Sequence, residues 1–193
     1  MPALRIANGL GLVALMLAPA ACNQQQAEQW NLSKPAFGAG ADAGPVESNI
    51  VRVNKFFKES PWLCFNNDGG KRVDGVGFSV YLEGPNKPKG VFGTGTLVVN
   101  MYRLEFGPDG REVPVEVYKW EMPADQAYVW RAKQRTALGW GYGLRLHWDD
   151  KIDVVGKQVA FVVKYVREDG REISSSRQVF KVPANSLATA HSG

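Results

Sequence analysis

Side chains that commonly carry catalysis are scarce in this chain. Its 193 residues include two histidines and two cysteines, which is little material for a zinc site, an iron cluster or a Cys/His nucleophile. His147 lies in a strand-like segment, no G-x-S-x-G motif occurs, and His191 stands in the C-terminal tail. We therefore expect no nucleophilic triad and no cofactor, and we interpret His147 as a structural residue.

Paired carboxylates are the remaining catalytic device that the composition offers. A general acid and a general base could be drawn from a set of acidic residues in the second half of the chain: Glu116, Glu121, Asp125, Asp149, Asp150 and Asp153. Their spacing does not single out a pair. The sequence thus favours a non-catalytic protein, with a carboxylate-dependent hydrolase as the alternative.

One loop has the oxygen density that calcium prefers. Asn66, Asp68 and Asp74 would be its ligands. The loop lacks the D-x-D-x-D-G order and the closing glutamate of calcium loops, and Lys71 and Arg72 add positive charge. An ordinary Asx/Gly turn is the favoured interpretation, and no metal is expected.

Two tryptophans and nearby cations form the candidate ligand surface. Trp120 and Trp130 stand close to Arg131 and Lys133, and the segment from Gln126 to Arg135 alternates like a strand. Exposed aromatic rings would suit a carbohydrate, which makes a carbohydrate-binding module a further alternative, and the cations would suit an anionic polymer. Basic side chains that protect an edge strand explain the same pattern.

The N-terminus has the layout of an export signal. Residues 1–8 contain Arg5, and residues 9–18 form an apolar run that is too short to span a bilayer. Small residues and Cys22 follow. We expect a mature chain outside the cytoplasm.

The residues Leu17-Ala18-Pro19-Ala20-Ala21-Cys22 resemble a bacterial lipobox, with proline at a place where the family usually has leucine. The resemblance implies an acylated Cys22 that binds membrane lipid. Because Asn23 is not the aspartate associated with inner-membrane retention, it also implies an outer-membrane lipoprotein facing the periplasm. Ala18-Pro19-Ala20 is at the same time an ordinary A-x-A cleavage site, which would yield a soluble secreted protein.

The segments behind the signal divide into a tether, a domain and a tail. Residues 22–48 are polar and then glycine-rich and are predicted to be flexible, 49–183 to be the domain, and 184–193 to be disordered. Cys64 is the single cysteine of that domain, so we expect a buried thiol without a disulfide. Removing residues 1–21 takes away Arg5 and leaves 22 basic and 19 acidic residues, a net +3 that does not favour nucleic acid as a partner.

Apolar residues in the predicted domain recur with a period of two. About eight strands separated by turn signals predict an all-β fold, an antiparallel β-sandwich of the immunoglobulin-like or transthyretin-like kind. The clearest strand runs from Trp140 to Trp148 and places Leu144 on the core face and Arg145 on the other. The one helix candidate is 54–60.

A five-residue echo accompanies these strands. Asp109-Gly110-Arg111-Glu112-Val113 recurs as Asp169-Gly170-Arg171-Glu172-Ile173. Hairpin turn chemistry is the favoured explanation, and a duplicated half-domain is the alternative.

Together, these features of the sequence predict a non-catalytic binding or structural module of the cell envelope, whose partner is an envelope protein or a polysaccharide.

Overall fold

A computed structural model describes residues 44–65, 72–149 and 151–184. The described part of the chain contains ten strands, one short helix and one 3-10 turn. Their bounds, in chain order, are β1 Val46–Glu47, β2 Arg52–Leu63, β3 Gly75–Gly84, β4 Lys87–Gly93, β5 Thr96–Phe106, β6 Glu112–Met122, α1 Ala124–Ala127, the 3-10 turn Tyr128–Trp130, β7 Tyr142–His147, β8 Gln158–Val166, β9 Glu172–Ser174 and β10 Gln178–Lys181. None of the described helices is long and apolar enough to cross a membrane.

The strands form two five-stranded sheets. Sheet 1 has the order β1-β4-β3-β2, and β7 pairs with the first half of β3 on the side that β4 occupies further along. Sheet 2 has the order β10-β8-β5-β6, with β9 beside the second half of β8. All pairs are antiparallel except β1 with β4. The predicted all-β sandwich is confirmed.

Alternation along the central strands builds the core between the sheets. On β3 the inward side chains Val76, Phe78 and Val80 are fully buried. They face sheet 2, where alternate residues of β5 and β8, such as Val99 and Phe161, are also fully buried. Burying an aliphatic or aromatic side chain stabilises a fold by about 1.5–3 kcal/mol, so these rows hold the sheets together.

The strand from Trp140 to Trp148 shows the predicted two faces. Tyr142, Leu144 and Leu146 are buried and paired with the inward residues of β3, while Arg145 lies on the outward face. The structure confirms this register, and shortens the strand to β7.

Both copies of the five-residue echo are hairpin turns of one geometry. In the turn between β5 and β6, Gly110 has φ +74°, and the Asp109 Oδ1 atom accepts the Arg111 backbone N–H at 3.1 Å. Between β8 and β9, Gly170 has φ +80°, and Asp169 Oδ1 accepts the equivalent N–H of Arg171 at 3.0 Å. Local turn chemistry accounts for the repeat.

Two predicted elements are wrong. Residues 54–60, the helix candidate, belong to the edge strand β2, whose register shifts between Phe57 and Trp62. Residues 126–135, predicted as a strand, contain the end of α1, the 3-10 turn and an irregular segment. The edge-strand interpretation of the basic residues there therefore fails as well.

Two strands were absent from the prediction. β4 begins with Lys87, Pro88 and Lys89, which obscure the apolar pattern of its second half. β1 lies inside the range 22–48 predicted to be a tether, so the folded part of the chain includes Val46 and Glu47. The predicted signal and the tail beyond residue 184 lie outside the described residues.

Candidate functional site

Of the three predicted calcium ligands, only Asp74 lies among the described residues. Asn66 and Asp68 lie outside the described residues. Asp74 is 1% exposed, and its Oδ1 atom accepts the backbone N–H of Phe65 at 2.6 Å. Its Oδ2 atom lies 3.7 Å from Nε2 of His147. Among the described residues no cluster of three or more metal-ligating side chains occurs.

Phe65 and the two polar residues of β7 pack together on the outward face of sheet 1. The Phe65 ring meets His147 edge-on with centroids 5.4 Å apart, and the Arg145 guanidinium carbon lies 5.9 Å from the Phe65 centroid. Gly75 provides the room for Phe65, because a Cβ atom there would stand 2.2 Å from the ring. His147 thus takes part in packing, as its structural interpretation requires.

The state of Cys64 differs from the one predicted from the number of cysteines in the domain. It is a disulfide cysteine and is partly buried. The expected unpaired thiol is therefore wrong. The chain's other cysteine is Cys22, which lies outside the described residues. Within one polypeptide the Cys22 sulfur could carry either this bond or a lipid, but not both.

Trp120 closes one end of the sandwich. Its indole Nε1–H donates to the backbone carbonyl of His147 at 2.7 Å, and its ring packs on Tyr118 with centroids 4.7 Å apart. Since β6 belongs to sheet 2 and β7 to sheet 1, this hydrogen bond joins the edges of the two sheets. Trp120 is partly buried.

Trp130, Arg131 and Lys133 lie at the other end of β7. Arg131 forms an isolated antiparallel bridge with Tyr142, the first residue of β7, whereas Trp120 contacts its last residue. Five steps of strand separate these contacts by roughly 17 Å. The four predicted ligand-surface residues therefore fall into two groups: Trp120 alone, and Trp130 with Arg131 and Lys133.

Arg131 is the best-defined polar centre of the second group. Its guanidinium carbon lies 4.6 Å from the centroid of Phe92 and 5.1 Å from that of Tyr128. Trp130 is partly buried against the core, and Lys133 is exposed. The backbone is fixed locally, because the Arg131 N–H donates to the Tyr128 carbonyl at 3.1 Å.

The Tyr142 hydroxyl is a polar neighbour of the Arg131 guanidinium. The hydroxyl oxygen of Tyr142 accepts the backbone N–H of Gly93 at 2.9 Å. Burial raises the pKa of Tyr142, while the nearby Arg131 charge acts in the opposite direction. Arg131 Nε is buried without a hydrogen-bond partner among the described residues. We call Phe92, Tyr128, Arg131 and Tyr142 the Arg131 cluster.

The chemistry of the Arg131 cluster suits an anion. No carboxylate of the described residues forms an ion pair with Arg131; its guanidinium lies near two aromatic rings and interacts with the Tyr142 hydroxyl. Cation–π contacts contribute about 0.5–2 kcal/mol, whereas desolvating an ion costs several kcal/mol. A carboxylate or phosphate would supply the missing countercharge and match the planar donor edge of the guanidinium.

The acidic residues considered for hydrolysis are distributed over separate elements. Glu116 and Glu121 lie on β6, and Asp125 lies in α1. Asp149 follows β7, where its Oδ1 atom accepts the Lys151 backbone N–H at 2.8 Å. Asp153 is exposed in the next loop, and Asp150 lies outside the described residues.

Sequence reasoning named Arg131 as a candidate for the ligand surface but did not name the residues that lie around it. Phe92 comes from β4, nearly forty residues earlier in the chain. Tyr142 shares the core face of Leu144, as strand alternation predicts, but the position of its hydroxyl depends on how β7 meets the end of β4. A pattern within one strand carries no signal for that contact.

Comparisons with known proteins add little. No family model and no curated protein matches the chain. Among solved structures, a crystal structure of MtrC from Shewanella baltica OS185 is similar with a TM-score of 0.39 and 11% identity. The match covers 73% of this chain and 23% of that one, so the chain spans less than a quarter of that protein. A likeness of this degree carries no argument about function.

Proposed function

We propose that the protein is an exported binding module of the cell envelope, and that its β-sandwich binds an anionic group of its ligand at the Arg131 cluster. The observation that carries the proposal is the guanidinium of Arg131, which contacts two aromatic rings and has no carboxylate counterion among the described residues. An anion would bind there edge-on, through in-plane N–H donors of Arg131.

Export is supported by two independent features. The N-terminal sequence has the charged, apolar and small-residue regions of a secretory signal. Cys64 is in a disulfide, and disulfides persist in oxidising compartments such as the periplasm and the extracellular space. A Cys22 sulfur that is bonded to Cys64 cannot also be acylated. Attachment to the outer membrane through Cys22 therefore requires Cys64 to bond to a different chain.

Titration with anions tests the binding site. Inorganic phosphate and acetate are added at constant ionic strength, with chloride as the reference, and chemical shifts of the Arg131 Nε–H and of the backbone are followed by NMR. We expect saturable shifts at residues 92–95 and 128–131. Arg131→Lys should weaken the binding about tenfold or more, because an ammonium lacks the planar fork that pairs with both oxygens.

Arg135→Lys is the matched control, since Arg135 is exposed in the same segment. It should bind the anions as the wild type does. Equal weakening in both variants would indicate general electrostatics and would contradict the proposal. So would the absence of saturable shifts around Arg131 in the wild-type protein.

A further inference from the structure

The outward face of sheet 2 contains a second polar centre, independent of Arg131. Along β5 the residues Val98, Asn100 and Tyr102 point away from the core, since their neighbours Val99 and Met101 belong to it. Val98 and Asn100 are nevertheless only 6% and 4% exposed. Long side chains of the adjacent strands therefore cover the middle of this face.

Asn100 is paired through one side-chain atom only. Its Nδ2 group donates to Glu116 Oε2 at 2.7 Å, while its Oδ1 atom is buried without a partner among the described residues. Leaving a buried acceptor without a donor costs about 1–3 kcal/mol. A donor supplied by a bound molecule would recover that free energy.

A β-bulge places Glu116 beside Asn100. The register of β5 with β6 runs from Met101 opposite Tyr118 to Tyr102 opposite Glu116, so Val117 is the extra residue. Strict alternation from the outward Lys119 would have turned Glu116 toward the core. Bulges that redirect a side chain are common near functional sites.

The charges around Asn100 nearly cancel. Lys119 lies opposite Asn100 and pairs with Glu121 at 2.8 Å, and Lys164 pairs with Glu172 at 3.2 Å. With Glu116 the face has three acidic and two basic groups. Such a surface concentrates neither polyanions nor polycations. Because a lysine side chain has a flexible four-carbon stem, Lys119 and Lys164 can move aside for a ligand.

Tyr102 adds a partly exposed ring and a hydroxyl donor. Burial and the neighbouring Glu116 carboxylate raise the pKa of Tyr102, so its phenol stays protonated at neutral pH. The face therefore combines a flat ring with donors and acceptors at short spacing. From Val98 to Tyr102 and across three strands it measures roughly 13 Å by 10 Å.

We propose that this face, defined by Asn100, Tyr102, Glu116, Lys119 and Lys164, binds a neutral carbohydrate chain. A sugar hydroxyl donates to Asn100 Oδ1, other hydroxyls exchange hydrogen bonds with Glu116 and the lysines, and the Tyr102 ring packs on a sugar ring. A neutral, hydroxyl-rich ligand fits because it needs both donors and acceptors and no net countercharge.

NMR titration of the full chain with cellohexaose, chitohexaose and xylohexaose tests the proposal. We expect at least one of these neutral oligosaccharides to shift the backbone signals of β5, β6 and β8 in a saturable manner. Tyr102→Ala and Asn100→Ala should each weaken that binding about tenfold, with wild-type-like spectra elsewhere in the fold.

Phe56→Ala is the matched aromatic control, because Phe56 is 48% exposed on the outward face of sheet 1. It should leave carbohydrate binding unchanged, and Arg131→Lys should do the same, which separates this site from the Arg131 cluster. No saturable shift with any of the three sugars overturns the proposal. Shifts confined to sheet 1 or to residues 92–95 and 128–131 overturn it equally.

Discussion

At the residue scale, the two neighbours Leu144 and Arg145 test the faces of β7. Leu144 is fully buried and part of the core, so Leu144→Ala should cost about 2–5 kcal/mol through lost contacts and a cavity. Arg145→Ala should cost about 0.5–1 kcal/mol, because Arg145 contributes a cation–π contact to Phe65. Urea denaturation of each variant measures both values. Equal costs, or a larger cost for Arg145, would mean that the register of β7 is wrong.

Burial along β7 and β3 was predictable because every second residue, on the inward face of both strands, is apolar. Lys55 shows where that rule stops. It lies opposite the inward Val80, and its ammonium donates to the carbonyl of Ser176, which stands between β9 and β10 of sheet 2. The sequence of β2 does not predict this contact. Burial lowers the pKa of Lys55. Long side chains reach over the rim of the core, so their position depends on the partner sheet.

At the element scale, the two DG turns predict the same response to substitution. Gly110 and Gly170 have positive φ, and a Cβ atom at either position would meet nothing within 4 Å. Alanine should therefore cost about 1–2 kcal/mol of backbone strain at each turn, and asparagine less. Denaturant midpoints measure the costs. An alanine variant as stable as the wild type would contradict the assigned turn geometry.

A further prediction concerns the joint between β6 and β7. Trp120→Phe keeps an aromatic ring and removes the donor to the His147 carbonyl, so it should cost about 1 kcal/mol. Amide hydrogen exchange should rise at the C-terminal ends of β6 and β7 and remain unchanged around Gly93. A uniform rise throughout both sheets would show that Trp120 acts through general packing instead.

Turns and core strands were predictable because their signals are local. The segment after β6 was not, since Tyr128 and Trp130 stand at alternate positions opposite Val129 and Arg131 as in a strand, yet they form a 3-10 turn next to a four-residue helix. The bulge at Val117 was equally invisible, because it becomes apparent only in the pairing with β5. Both elements carry candidate sites, so the sites were less predictable than the fold that holds them.

At the scale of the whole molecule, the two proposed sites occupy different parts of the sandwich. The Arg131 cluster lies where the β4–β5 turn meets the start of β7, and the carbohydrate face covers the outside of sheet 2. Each has its own matched control, so the failure of one leaves the other testable. The fold class follows from strand periodicity alone, but neither site does, because each combines strands that are distant in sequence.

The state of Cys22 decides how the whole protein is attached to the cell. If the Cys64 disulfide lies within the chain, its partner is Cys22, the other cysteine of the sequence. We therefore expect cleavage after Ala20, an intact mass that increases by one hydrogen molecule on reduction, and recovery in the soluble fraction. Cys64→Ser should then cost about 2–4 kcal/mol, because the bond no longer restrains the unfolded chain.

The measurement is mass spectrometry of the mature protein before and after reduction, together with membrane fractionation. Cys22→Ser and Cys64→Ser are the paired variants. Because a bond needs both sulfurs, the two should abolish the mass change on reduction equally, and both proteins should stay soluble. An N-terminus at Cys22 with added fatty-acyl mass, release from membranes by Cys22→Ser and no effect of Cys64→Ser on attachment would contradict the disulfide. That outcome would establish the lipoprotein that the lipobox-like sequence predicts.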